Sequence, residues 1–214
     1  MNLKTQLFRF VTIIVVSCVF FIGISQIPWN QAKANNKPLV ADSSNLITST
    51  ALKNTIFPLE NFQSYTSPFG YRRSPITGEI QFHNGLDMAA PLGTYVVNWQ
   101  NGKVAKVAQD NACGTHVIVK SGNWKHVYCH LKGYVDTNGN NPVMIDNEGG
   151  IQLAQGQTIS TGTRIGRIGM TGRTTGPHLH WVLIKNGSYI DPAVVIREMF
   201  GQNASLDSKA ENIS

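Results

Sequence analysis

From Phe57 onward, a glycine or an Asn/Gly/Ser turn signal interrupts the apolar text every four to eight residues. The pieces between are "TYVVNW", "GKVAKVAQ", "THVIVKS", "KHVYCHL", "TRIGRIGM" and "HLHWVLIK". Runs of this length are too short for stable helices, and their β-branched side chains suit a pleated strand. "SGN", "KNG" and "TGRTTGP" supply the turns between them, so the expected fold is all-β. Only "DPAVVIREMF", residues 191 to 200, reads as helix: Asp191 caps, Pro192 suits the first turn, and Val195, Ile196 and Met199 share a face. The Asn/Gly-rich "VDTNGNNPVMIDNEGGIQLAQGQ" reads as a long loop or an extra hairpin between strands, and no repeat of solenoid length is visible.

Upstream the chain changes character. Lys4 and Arg9 precede an apolar run from Phe10 to Ile27, and Ala32-Lys33-Ala34 fits a small-x-small cleavage site, so residues 1–34 read as a secretory signal. The run is close to the roughly 18 residues that cross a bilayer, which leaves an uncleaved anchor as the alternative. A lipoprotein signal at Cys18 fits less well, because "VFFIGI" continues the apolar run beyond it. Each reading puts the folded part outside the cytoplasm: secreted, periplasmic or wall-associated. Residues 35–56 are polar and read as a linker or poorly ordered arm, 57–200 as the folded domain, and 201–214 as a polar, frayed tail. Losing Lys4, Arg9 and Lys33 with the signal lowers the formal net charge from +6 to +3. That mild excess suits an anionic wall or membrane surface, and no basic block interleaved with aromatics calls for nucleic acid.

Two cysteines remain, Cys113 and Cys129, flanking the hairpin "HVIVKSGNWKHVYCH". An even count in an oxidising compartment predicts a disulfide; two buried free thiols are the alternative. Cys113-x-x-His116 with His126-x-x-x-His130 also imitates a structural zinc site, although an exported Cys/His hairpin more often bridges.

All six histidines, at 83, 116, 126, 130, 178 and 180, fall in the exported part. Gly85 and Pro91 argue against a helix through "FHNGLDMAAP", and on an extended segment His83 and Asp87, four apart, face one side. His178 and His180, two apart, also share a strand face, with Leu179, Trp181 and Leu183 on the other. Val182 and Ile184 continue the histidine side, which reads as a strand buried on both faces. Unpartnered imidazoles there would cost about 1–3 kcal/mol each, and a metal is one such partner.

The segments "GYRRSPITGEIQFHNGLDMAAPLGT", "YCHL", "GQTISTGTRIGRIGMTGRTTGPHLHW" and the later "DP" occur in the same order as in the lysostaphin and LytM-like zinc endopeptidases of the M23 peptidase family. The chain resembles that family over about residues 65–193. The resemblance implies zinc ligands at His83, Asp87 and His180, and a catalytic pair of His130 and His178. Three protein ligands leave a fourth position for water, as a catalytic zinc requires. One histidine would then take a proton from water and the other stabilise the oxyanion and leaving amine; which does which stays open. The implied fold is a compact antiparallel β-sandwich, of the duplicated-hybrid-motif kind, with a long groove holding the metal. Val182 stands where relatives often carry an acid, and Asn98 where alanine is common. The insertion after "HLKGY" is expected at the groove rim. His116 and His126 are expected as surface or cross-strand residues without a catalytic role. Arg72 and Arg73 are candidates to bind a carboxylate of a wall peptide. The glycines of "GRIGMTGRTTG" lack the lysine and helix of a phosphate loop and are expected to admit tight turns and a close substrate backbone.

The function expected from this resemblance is a secreted, monomeric, zinc-dependent endopeptidase acting on stems or cross-bridges of bacterial peptidoglycan, touching a membrane only through an uncleaved N-terminus. Two rivals are a wall-binding regulator of amidases and a sugar phosphocarrier. Five intact histidine and aspartate positions weigh against the first, and an export signal against the second.

Overall fold

The protein is described by a computed structural model over Leu52 and residues 54–211, of which 202–211 are described as backbone only. The expected signal or anchor over 1–34, and most of the 35–56 arm, lie outside the described residues. In chain order the strands are β1 (Ser64–Ser67), β2 (Gly70–Arg73), β3 (Ile80–His83), β4 (Leu86–Ala89), β5 (Tyr95–Val97), β6 (Gly102–Asp110), β7 (Gly114–Ser121) and β8 (Trp124–Leu131). They continue with β9 (Tyr134–Asp136), β10 (Val143–Asp146), β11 (Ile151–Ala154), β12 (Thr158–Ile159), β13 (Arg164–Arg167), β14 (His178–Lys185) and β15 (Ser188–Ile190), followed by helix α1 (Pro192–Glu211). The large sheet runs β1-β4-β14-β8-β7-β6-β12 with β15 added to β14, and every described pairing is antiparallel. Three small sheets, β11-β10-β9, β13-β5 and β2-β3, complete the all-β architecture.

Strand alternation divides the large sheet into two functional faces. Leu179, Trp181 and Leu183 of β14, Trp124 and Tyr128 of β8, and Leu86 and Met88 of β4 are buried in one core. That core also takes Val96 of β5, Ile165 of β13 and Val195, Ile196 and Met199 of α1. Trp99 sits at its centre, edge-on to Trp124, Trp181 and His126 at 5.1–5.7 Å between ring centroids, contacts worth about 0.5–1.5 kcal/mol each beyond the area they bury. The opposite positions, His178, His180, Val182 and Ile184 of β14 with Val127 and Cys129 of β8, line an open groove. β14 is therefore not enclosed on both faces: the apolar residues on its histidine side floor the groove.

Four sequence expectations change. The core begins before Phe57, because Leu52 is buried in it and the Ile56 N–H donates to the Trp99 carbonyl. Asp191 does cap α1 through Ala193 N–H, but the helix runs to Glu211. No proline interrupts it after Pro192, and Ala204, Leu206, Lys209 and Ala210 favour helix where a frayed tail was expected. The insertion is the β10–β11 hairpin widened by β9, and none of it lines the groove. Met144, Ile151 and Leu153 bury into the core, and Asp146 accepts two hydrogen bonds from Arg167 of β13 at 2.6 and 2.7 Å, so burial and a bidentate ion pair hold this sheet off the rim. Finally, His116 and His126 are buried, not surface residues, because β7 and β8 are central strands. His126 is bonded through its two nitrogens to Tyr128 Oη and Ser121 Oγ, while His116 donates from Nδ1 to the Gly114 carbonyl.

Candidate metal centre and groove

His83 closes β3 and Asp87 lies in β4, so the pair does not share one strand; the chain bends between them at Asn84-Gly85. Gly85 permits that bend beside β14, since a Cβ there would stand 2.6 Å from the Trp181 carbonyl oxygen and 2.7 Å from His180 Cε1. Antiparallel register then sets His180 directly opposite Asp87. The result is a triangle of ligand-type atoms. His83 Nε2 is 3.1 Å from Asp87 Oδ1 and 3.0 Å from His180 Nδ1, and the last two are 2.7 Å apart.

The outward nitrogens decide what the triangle can hold. His83 donates from Nδ1 to the Pro68 carbonyl at 2.7 Å, and His180 donates from Nε2 to Asn84 Oδ1 at 3.2 Å. A neutral imidazole has one N–H, and each ring spends it outward. Two nitrogen lone pairs and a carboxylate oxygen then converge, an arrangement that repels unless a cation shares it. Where no cation is shared, protons take its place: burial alone pushes the Asp87 carboxyl up, but hydrogen bonds from His180 and His83, when those rings carry a proton toward it, outweigh burial and hold the group well below the usual carboxylate range. Burial likewise pushes His180 down, favouring its ligating, neutral form. The donor set fits a divalent metal with three protein ligands and an open side.

His178 and His130 stand beside this triangle with their rings 4.8 Å apart. His178 donates from Nδ1 to the Gly176 carbonyl at 2.8 Å, which leaves Nε2 facing Asp87 Oδ1 at 3.7 Å. His130 donates from Nδ1 to the Thr171 carbonyl at 2.9 Å, which also frees its Nε2. Burial pushes the His130 pKa down to about 4, against the opposing effect of the Thr171 hydrogen bond, so the ring is uncharged at neutral pH.

His130 reaches the groove by breaking strand alternation. With Val127 and Cys129 facing the groove, a regular β8 would turn residue 130 into the core. Instead Val117 pairs with Tyr128 and Thr115 with Leu131, so β8 spends one more residue than β7 over this stretch. The β-bulge carries His130 at φ +61°, puts Cys129 and His130 on the groove side, and returns Leu131 to the core. A left-handed residue with a Cβ costs about 1–2 kcal/mol, comparable with the net worth of one or two hydrogen bonds. Two backbone bonds oppose that cost: His130 N–H to the Cys113 carbonyl, and Gly169 N–H to the His130 carbonyl, both 2.8 Å. Gly169 approaches so closely that a Cβ would lie 2.6 Å from the Lys132 nitrogen. At Gly169 the glycine-rich run thus makes room for the protein's own backbone, and Gly172, at φ +74°, makes a tight turn as expected.

Cys113 and Cys129 form a disulfide, as their spacing predicted, with Cα atoms 4.9 Å apart. Both sulfurs are thereby committed, which removes the imitation zinc site built on Cys113 and His116. The two arginines part company. Arg72 lines the groove with Nη2 3.8 Å from Asp87 Oδ2, and its buried Nε has no hydrogen-bond partner among the described residues. Arg73 points outward to the Gly78 carbonyl and does not reach the groove. Sequence reasoning missed the far wall, Arg173 with Thr174 and Thr175, and the apolar arm where Phe82 and Tyr189 flank Val182 and Ile184. The aromatic residues around "GYRR" and "QFH" were the available signal for that arm.

A family model described as Peptidase family M23 matches residues 81–192, which contain all three atoms of the triangle and both flanking histidines. The chain belongs to peptidase family M23. Among M23-type relatives it is 35% identical over 133 residues to the peptidoglycan DD-endopeptidase ShyA of Vibrio cholerae, covering 61% of this chain and 27% of that protein. It is 33% identical over 131 residues to the DD-carboxypeptidase/endopeptidase Mpg of Neisseria meningitidis, covering 61% and 26%. The crystal structure of a zinc containing peptidase from Vibrio cholerae superposes with a TM-score of 0.50 at 29% identity, covering 63% of this chain and 37% of that one. This M23 chain thus spans about a quarter of the length of those two curated relatives.

Proposed function

We propose that the protein is an exported, zinc-dependent endopeptidase that hydrolyses peptide bonds in the stems or cross-bridges of bacterial peptidoglycan. The observation that carries this reading is the triangle of His83, Asp87 and His180 with the free Nε2 atoms of His130 and His178 on one side of it. Zinc held by the three ligands would supply Lewis acidity, polarising a peptide carbonyl and acidifying water. The remaining steps belong to the chain's own groups. Uncharged His130 offers the Nε2 lone pair that accepts a proton, its ring held by the Thr171 carbonyl. His178, oriented by the Gly176 carbonyl, would stabilise the developing oxyanion through an Nε2–H, which requires a second proton on a ring whose Nδ1–H is spent on Gly176, and the proton taken up at His130 passes to the leaving amine. Arg72 supplies a cation at the groove wall for a substrate carboxylate, a role Arg73 is too far out to share. An extended peptide fits the groove, with uncharged, methyl-bearing side chains over Val127, Val182 and Ile184. The protein acts as a monomer, and its partner is peptidoglycan rather than nucleic acid.

The test is mass spectrometry of defined, cross-linked muropeptides incubated with purified protein, with and without a chelator. The expected products are fragments that gain one water at a peptide bond, absent when chelator is present. Cleavage insensitive to chelator, or confined to sugar linkages, would overturn the reading. Binding to the wall without cleavage would favour a regulatory role instead.

A further inference from the structure

The Cys113–Cys129 disulfide does not sit at the periphery, where a cross-link only tethers. Both cysteines line the groove, and Cys129 is the residue immediately before His130 inside the β8 bulge. Cys113 belongs to the turn that precedes β7, and that turn is itself fastened. Asp110 Oδ1 accepts the N–H groups of Ala112 and Cys113 at 2.9 and 2.7 Å, and the Ala112 carbonyl accepts Arg173 N–H at 3.0 Å. The Cys113 carbonyl in turn accepts the His130 N–H. The disulfide therefore joins an anchored turn to the one stretch of β8 that departs from alternation.

We propose that this disulfide is a positioning element for His130: it holds the bulge closed, and so decides whether the His130 ring faces the groove. The inference rests on the hydrolytic reading of the site. Without the bond, hydrogen bonds and the burial of Leu131 remain to hold the bulge against the left-handed backbone of His130, and the regular strand is the alternative conformation. Relaxing toward that strand turns residue 130 away from the groove and displaces Leu131 from the core. Most of the metal triangle is set elsewhere: His83 and Asp87 belong to β3 and β4, and His180, although its backbone pairs with Cys129 of β8, stands opposite Asp87 of β4 and directs its outward hydrogen bond to Asn84. His178 is oriented by the Gly176 carbonyl, with its ring 4.8 Å from that of His130. The cross-link thus acts directly on only one member of the histidine pair.

The test replaces both cysteines, Cys113→Ser with Cys129→Ser, in the full chain; a second pair, Cys113→Ala with Cys129→Val, fills the volume if the serine pair fails to fold. On a defined muropeptide at a temperature well below unfolding, kcat is expected to fall about 100-fold, the cost of misplacing a reacting group by roughly 1 Å. KM is expected to stay within about threefold, and zinc stoichiometry to remain unchanged. The decisive arm repeats the cysteine substitutions in a His130→Ala background, where they should cause no further loss of residual turnover, because a bond acting through His130 has nothing left to act on. Imidazole NMR supplies a readout independent of catalysis: the His130 ring signals should shift, with a smaller shift at the His178 ring 4.8 Å away, while those of His126 hold. Unchanged kcat with only a lower melting temperature would overturn the proposal, as would an equal loss in both backgrounds. Absence of cleavage by the unmodified protein would overturn the hydrolytic reading instead, and the His130 ring signals would still decide this one.

Discussion

β14 and β8 lie side by side in the same sheet, yet they bring histidines to the groove by opposite means. In β14 the pattern is regular: His178 and His180 are two residues apart, share a face by alternation, and leave Leu179 and Trp181 to the core. In β8 the pattern is broken: His126 obeys alternation and is wholly buried, whereas His130, also at an even position, is thrown to the groove by an extra residue. Alternation is therefore enough to carry the ligand and its neighbour. It is not enough for the second member of the pair, which depends on a strained backbone stitched by the Cys113 carbonyl, the Gly169 N–H and a disulfide. On the proposed reading, ligation resides in the regular strands and proton handling partly in the irregular one, so the two properties should be separable.

The largest expected effect tests that separation. His180→Ala should lose both zinc and hydrolysis, because it removes one corner of the triangle, whereas His130→Ala should keep zinc and lose turnover by about 10²–10⁴-fold. Metal analysis alongside muropeptide kinetics checks both, and a His130→Ala protein that purified without zinc would break the division of labour between the strands. Next comes the stability of the bulged region. The disulfide closes a loop of sequence separation 16, so its removal should cost about 3 kcal/mol of unfolding free energy, read by urea melts under oxidising and reducing conditions. Equal melts would mean that hydrogen bonds and the packing of Leu131 hold the bulge without the disulfide.

A smaller effect concerns the regular part of β8. Burial pushes the His126 pKa down to about 3, against an ordinary value of 6.5. Between these values the unfolded chain binds a proton that the folded chain refuses, so stability is flat above about pH 7 and falls as pH drops from about 6.5 toward 3. His126→Gln should flatten that slope relative to the unmodified protein in melts at pH 7 and pH 4.5; parallel slopes would place the acid sensitivity elsewhere. The smallest effect separates the neighbouring arginines of β2. Arg72→Ala should raise KM about tenfold for a carboxylate-bearing muropeptide, the loss of one charged contact, whereas Arg73→Ala should change it less than about twofold. Equal effects would show that the outward-facing arginine also meets the substrate.

Much of this was legible in the sequence because it is local. Short β-branched runs with glycine punctuation specify strands, the spacing of His178 and His180 specifies a common face, and two cysteines flanking a hairpin specify a bond. The spacing of His83 and Asp87 misled in detail, since it suggested one strand where Gly85 bends the chain between two, although the side chains still converge. For His116 and His126 the cross-strand position was legible but their burial was not, because sequence does not say which strands lie at the centre of a sheet. The insertion was misplaced because loop composition says nothing of the partner that captures it, here Arg167 reaching Asp146.

By itself, then, the sequence determined what depends on neighbours in the chain: strand identity, the face each side chain takes within a regular strand, the cap on α1, and the residue types available to hold a metal. Only the tertiary structure decided what depends on pairing. Antiparallel register brings His83 within 3.0 Å of His180 across 97 residues, one face of β14 becomes groove floor instead of core, and a single extra residue in β8 reverses the side on which His130 emerges. The physical reason is the same in each case. Alternation has a period of two, so a shift of one residue in register inverts a face, and only the packed partners on either side of a strand set that register.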